Sequence, residues 1–125
     1  MAEKKNVVGW FEIPVKDLKR AKAFYEGVFG QKLDLNEMDK MTMAWWPMVM
    51  KGVGSSGTLV KAPGYKPSKS GTIVYFMVTD INATLKKVAK KGGKTLIPRT
   101  NIGEWGFFAH FEDTEGNRIA IHSMK

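Results

Sequence analysis

Cysteine is absent from the 125-residue chain, which excludes disulfides, thiolate nucleophiles and thiolate metal ligands. Arginine is scarce: Arg20, Arg99 and Arg118 are the only three among 20 basic residues. Proteins that read bases or grip phosphates lean on the planar, bidentate guanidinium. A net charge of +8 carried almost wholly by lysine therefore argues weakly for nucleic acid, and none is expected as a partner. Long apolar runs are missing too; no stretch approaches the roughly 20 residues needed to span a bilayer. The start, MAEKKN, is polar and reads as neither a signal nor a transit peptide, so a cytoplasmic location off the membrane is expected.

What the chain does have is bulk and lysine. Apolar residues make up 43%, with seven Phe, four Trp and eight Met, enough for a real core in one domain. The densest lysine cluster, Lys86, Lys87, Lys90, Lys91 and Lys94, is spaced as the solvated face of an amphipathic helix. No aromatic residues interleave with it to stack bases. Attraction of a small anion into a cleft is the more economical use of the charge.

The chain also repeats itself. Val15-Lys16-Asp17-Leu18 matches Val78-Thr79-Asp80-Ile81 at an offset of 63, and the same offset pairs Gly30 with Gly93 and Leu33 with Leu96. In the first copy residues 8–15 alternate as a strand, with Phe11, Ile13 and Val15 on one face. Asp17 sits as an N-cap, Ala21, Phe24, Tyr25 and Val28 follow at helical spacing, and Gly30 ends the helix. In the second copy residues 73–78 form the strand, Asp80 the cap, Leu85, Val88 and Ala89 the helical stripe, and Gly92-Gly93 the stop. Period two then returns in residues 32–38, 42–50 and 57–61, and again in 94–97, 106–112 and 117–123. Asp39-Lys40 reads as a hairpin and Asp113–Gly116 as a turn. The expected fold class is α+β: two βαβββ modules, about 7–61 and 72–123, joined by a linker over 62–71, with cupped mixed sheets and helices on the outer face.

These residues carry a resemblance. The run Ile13–Gly30 and the close Glu112-Asp-Thr-Glu-Gly-Asn-Arg-Ile-Ala-Ile-His122 resemble the opening and ending signatures of the glyoxalase/bleomycin resistance protein/dioxygenase (vicinal oxygen chelate) superfamily. Thr114 stands where that ending usually has proline. Within the superfamily the chain resembles the small bacterial glyoxalase-related proteins of unassigned reaction. The resemblance implies metal ligands on the first and last strand of each module and a homodimeric assembly. Its ligand positions fall on Trp10, Ile73, Ala120 and, by the repeat offset, Gly57, none of which can hold a divalent cation. No metal and no cofactor are expected, nor a metal-dependent glyoxalase I reaction.

Strand parity puts Trp10, Glu12 and Pro14 opposite Phe11, Ile13 and Val15. It likewise separates Ile73, Tyr75 and Met77 from Val74, Phe76 and Val78, and Ala120 and His122 from Ile119 and Ile121. The apolar sets are expected to pack on the helices, and the others to line the cup. Glu12, His122 and Tyr75 are the candidate catalytic residues, as base and acid partners or as groups that orient a ligand. The competing reading makes Glu12 a salt-bridge partner of a lysine and His122 an exposed terminal residue. Trp10, Trp46, Leu59, Ile73, Met77 and Trp105 are candidate ligand contacts, although the tryptophans equally suit core or dimer packing. Trp45 and Trp46 point to opposite faces, so at most one lines the cup. His110 reads as an ordinary strand histidine. Residues 52–57, glycine-rich, precede a strand and form a turn or lid rather than a phosphate loop.

Three functions stay open. One is a lyase or isomerase acting on a small molecule by acid/base chemistry. Another is a non-catalytic protein that binds or sequesters a small molecule, as bleomycin-binding relatives do, although a basic chain suits that ligand poorly. The last is a structural or regulatory domain working through a dimer surface.

Overall fold

Two aspartates decide where the helices begin. The computed structural model describes residues 6–125; most of the polar start lies outside the described residues. The Asp17 carboxylate accepts from the Arg20 amide at 3.0 Å, and Asp80 accepts from the Ala83 amide at 3.0 Å, so each satisfies an N–H that the first turn leaves open. The elements are β1 (Phe11–Pro14), α1 (Leu18–Phe29), β2 (Asp34–Met38), β3 (Met41–Trp45), β4 (Gly57–Lys61), β5 (Tyr75–Met77), α2 (Ile81–Lys90), β6 (Lys94–Asn101), β7 (Phe107–Glu112) and β8 (Arg118–Ser123). Gly30 closes α1 at φ 77°, a left-handed cap that a side chain would strain.

The strands form two four-stranded sheets, ordered β1-β4-β3-β2 and β5-β8-β7-β6. In each, the first strand runs parallel to the last and the rest pair antiparallel. This is the expected pair of βαβββ units with a helix on one face of each sheet. The helix-facing sets named from strand parity are buried as expected at Ile13, Val15, Ile119 and Ile121, in a core shared with Phe24, Tyr25 and Val28 of α1.

Several boundaries moved. Strand β3 stops at Trp45 rather than Met50, because Pro47 has no N–H to continue the ladder. Strand β6 runs on to Asn101 rather than Ile97, with register shifts on either side of Ile97 and Pro98 just beyond. On α2 the buried stripe is Ile81, Thr84 and Val88, while Ala89 is exposed. None of the helices among the described residues is long and apolar enough to cross a membrane.

The modules meet within the chain. Strands β1 and β5 are edge strands, and Phe11 and Phe76 place their rings 5.7 Å apart across the seam. Phe29, at the end of α1, stacks on Phe76 at 4.3 Å, adding an aromatic contact on the helix side of that seam.

Candidate functional site

An open groove of about 1340 Å³ runs along the seam, walled by Trp10 and Glu12 from the first module and by Ile73, Tyr75 and Met77 from the second, and it reaches Val28 and Phe29 of α1 and Thr84 and Lys87 of α2. Residues 47–49 and 53–56, in the β3–β4 connection, line it as well. Glu12 and Lys87 are the only charged side chains lining it among the described residues. Tyr75 and Met77 are 52% and 68% exposed, so apolar surface is left uncovered where a ligand could cover it.

Of the candidate residues, five line this groove together: Trp10, Glu12, Ile73, Tyr75 and Met77. Trp46 also reaches it, but its ring is buried in the helix-side cluster, 5.4 Å from Tyr25 and 5.4 Å from Phe76. The tryptophan on the concave face is Trp45, which meets Trp10 edge-on at 5.3 Å. Leu59 leaves the site altogether. It pairs with Ile13 and Ala44 and is fully buried in the core, because pleating gives the concave face of β4 to Thr58 and Val60. Trp105 is 68% exposed on a 3-10 turn, Gly103–Trp105, away from the groove lining.

Glu12 and His122 are not brought together. The Glu12 carboxylate accepts from the Tyr65 hydroxyl at 2.9 Å, and this bond to a carboxylate pushes the Tyr65 phenol above its usual pKa. His122 Nε2 donates to the Trp105 carbonyl at 2.6 Å. Only Glu12 lines the groove. Neither the lysine bridge expected for Glu12 nor a shared acid–base pair is present among the described contacts.

Behind Tyr75 lies a network that periodicity alone did not single out. The register Tyr75↔Ala120↔His110 places the tyrosine and histidine on either side of Ala120 on one face. Tyr75 Oη lies 3.3 Å from His110 Nε2, and His110 Nδ1 lies 3.0 Å from Arg118 Nη1. Burial and the Arg118 charge both depress the His110 pKa, so the imidazole is neutral near pH 7. Parity from Ala120 could have carried Arg118 onto this face; the pairing with His110 needed the cross-strand register.

The ligand positions implied by the family resemblance do not fit a metal. Strand β1 pairs Phe11 with Gly57 and Glu12 with Thr58, so the cup-facing counterpart of Ala120 is Thr58. The repeat offset shrinks from 63 to 62 by the last strand, which is why the sequence placed it at Gly57. Gly57 instead makes room for a ring, since a Cβ there would stand 2.5 Å from Phe11. The Thr58 hydroxyl is buried, its single proton within reach of the backbone carbonyls of Ala44 and Leu59 at 3.0 and 2.9 Å. Among the described residues no three His, Asp or Glu side chains converge as a metal site. Trp10, Thr58, Ile73 and Ala120 supply no strong donor for a divalent ion.

The chain matches the Glyoxalase/Bleomycin resistance protein/Dioxygenase superfamily over residues 7–121. It is 33% identical over 123 residues to a glyoxylase-like domain-containing protein of Didymella fabae, covering 91% of each chain. Its fold is shared with TnmS3, an antibiotic binding protein from Streptomyces sp. CB03234 (TM-score 0.70, 24% identity, 98% of each chain). It is shared too with a glyoxalase I mutant from Zea mays (TM-score 0.70, 20% identity, 93% of this chain), of whose length this chain spans 45%. With its two βαβββ units and its matched span of residues 7–121, the chain belongs to the Glyoxalase/Bleomycin resistance protein/Dioxygenase superfamily.

Proposed function

We propose that the protein binds a small organic molecule with an apolar body in the groove between β1 and β5, without a metal. The observation that carries this reading is the groove itself: about 1340 Å³, lined mainly by apolar side chains with a single carboxylate. Ligand pockets typically have this makeup, an apolar lining with a few placed polar groups. A fold relative, TnmS3, is described as an antibiotic binding protein, which supports binding as the reading without fixing the ligand. Titration with a panel of planar aromatic compounds, followed by tryptophan fluorescence, tests it. Saturable binding that weakens about tenfold in Met77→Lys, with the Tm unchanged, is expected. Absence of saturable binding across the panel overturns the reading.

A second reading keeps chemistry. Glu12 and Tyr75 line one groove from its two walls, an arrangement that suits proton abstraction beside a carbonyl. Solvent-deuterium exchange into a carbonyl ligand, seen by NMR and lost in Glu12→Gln, is what this reading expects; binding without exchange favours a purely binding role. A cytoplasmic homodimer belongs to the same proposal. Light scattering that returns one chain's mass, or fractionation outside the cytoplasm, removes that part.

A further inference from the structure

The direction of every proton in the Tyr75–His110–Arg118 chain follows from chemistry. A guanidinium only donates, so His110 Nδ1, 3.0 Å from Arg118 Nη1, must accept. The neutral imidazole then carries its hydrogen on Nε2, facing Tyr75 Oη at 3.3 Å. Tyr75 Oη thus accepts from His110, and its own O–H proton is left to point elsewhere. No other hydrogen bond to that hydroxyl occurs among the described residues, and Tyr75 is half exposed and lines the groove.

The charge behind it is also uncommitted. Arg118 makes no salt bridge among the described residues, and its recorded side-chain partner is the neutral His110. Glu112 stands opposite Arg118 in the strand register, but its carboxylate turns to Lys69 and Lys94 at 3.3 and 3.8 Å. His110 is 7% exposed, which fixes the relay where water competes little.

We infer that Tyr75, aligned by His110 and backed by Arg118, supplies a hydrogen-bond donor on the second-module wall of the groove: a site for the carboxylate or enolate oxygen of a planar organic anion. This rests on the groove reading proposed above and adds the chemical class of the ligand. Tyr75 is the contacting residue; His110 is a positioning residue acting through it. The surplus of lysine over acidic residues draws such an anion toward the protein.

Three naphthalene probes separate the ideas: 2-naphthoate, neutral 2-naphthamide and cationic 2-naphthylmethylammonium, titrated by calorimetry at one ionic strength. Naphthoate is expected to bind tightest and the ammonium weakest. Tyr75→Phe, which keeps the ring, should lose about tenfold for naphthoate and leave the ammonium unchanged. His110→Phe should lower the preference for naphthoate over the ammonium, and His110→Gln, which can both accept from Arg118 and donate to Tyr75, should restore it. Equal binding of all three probes, or unchanged naphthoate affinity in Tyr75→Phe, overturns the inference and leaves the groove reading standing. Failure of all three probes to bind removes the groove reading and this inference with it.

Discussion

Between β3 and β4 the chain takes residues 46–56, whereas between β7 and β8, the counterparts in the second module, it takes only residues 113–117. The shorter connection is a dense polar knot. Tyr25 Oη donates to Asp113 Oδ2 at 2.6 Å, Asn117 Nδ2 donates to the Pro14 carbonyl at 2.8 Å, and Glu115 accepts from the Lys16 and Asp17 amides at 2.8 Å each. Arg20 completes it with an Nε–carboxylate contact of 2.7 Å. The turn of one module thereby caps the β1–α1 junction of the other. The longer connection carries Met48, Val49, Met50 and Val53, all more than half exposed, and it ends at the groove. One end of the inter-module seam is fastened and the other is left open, and the open end is the one with room for a ligand.

The largest way to break this contrast is Glu115→Ala. The side chain is fully buried beside a half-exposed Arg20, and removal leaves two amides and part of a guanidinium without their acceptor. A stability loss of about 3 kcal/mol in urea unfolding is expected. Acid gives the same result without mutation. Burial alone would raise the Glu115 pKa, but the Arg20 guanidinium and the Asp17 and Lys16 amides outweigh it and hold the pKa at about 2, against an ordinary 4.5. A depressed folded-state pKa stabilises above about 4.5 and loses that contribution as pH falls toward about 2. The pH dependence in this window should flatten in Glu115→Ala, and an unchanged acid profile would remove the knot from its role.

Tyr25→Phe is a smaller cut at the same joint. Its hydroxyl is buried, and burial together with Asp113 pushes its pKa well above the usual value, so it is a fixed donor. Losing it should destabilise by about 1–2 kcal/mol, with an intact circular dichroism spectrum. At the open end, Val49→Ser with Val53→Ser should change stability by less than about 0.5 kcal/mol, since both are exposed. Groove affinity should fall several-fold in the same variant if the connection shields the ligand. The smallest effect is expected at Trp45, whose Nε1 is buried without a partner among the described residues. Trp45→Phe deletes an unsatisfied donor and should be neutral or slightly stabilising by chemical denaturation.

The same ending that reveals the family in the sequence, Glu112–Asn117, is this knot. Its residues were legible as a turn, but their partners were not, because Pro14, Lys16, Arg20 and Tyr25 lie about a hundred residues earlier. The groove residues divide the same way. Alternation along one strand correctly set Glu12 and Tyr75 apart from the core, since pleating is local. It gave Leu59 the wrong face, because the register carried by the repeat slips by one residue before β4. Tyr65 as the partner of Glu12 carried no sequence signal, and Arg118 could be placed on the right face by parity but not paired with His110 without the cross-strand register.

Taken alone, the sequence determined the two βαβββ units with their aspartate caps and glycine stops. Those features depend on periodicity and on residue chemistry, which act within a few residues. Tertiary structure alone decided that β1 and β5 meet in one chain, that Glu12 and His122 go to separate partners, and that Tyr75 lies against His110. Such outcomes depend on connection lengths and cross-strand register, where a shift of one residue turns a side chain from the cup to the core.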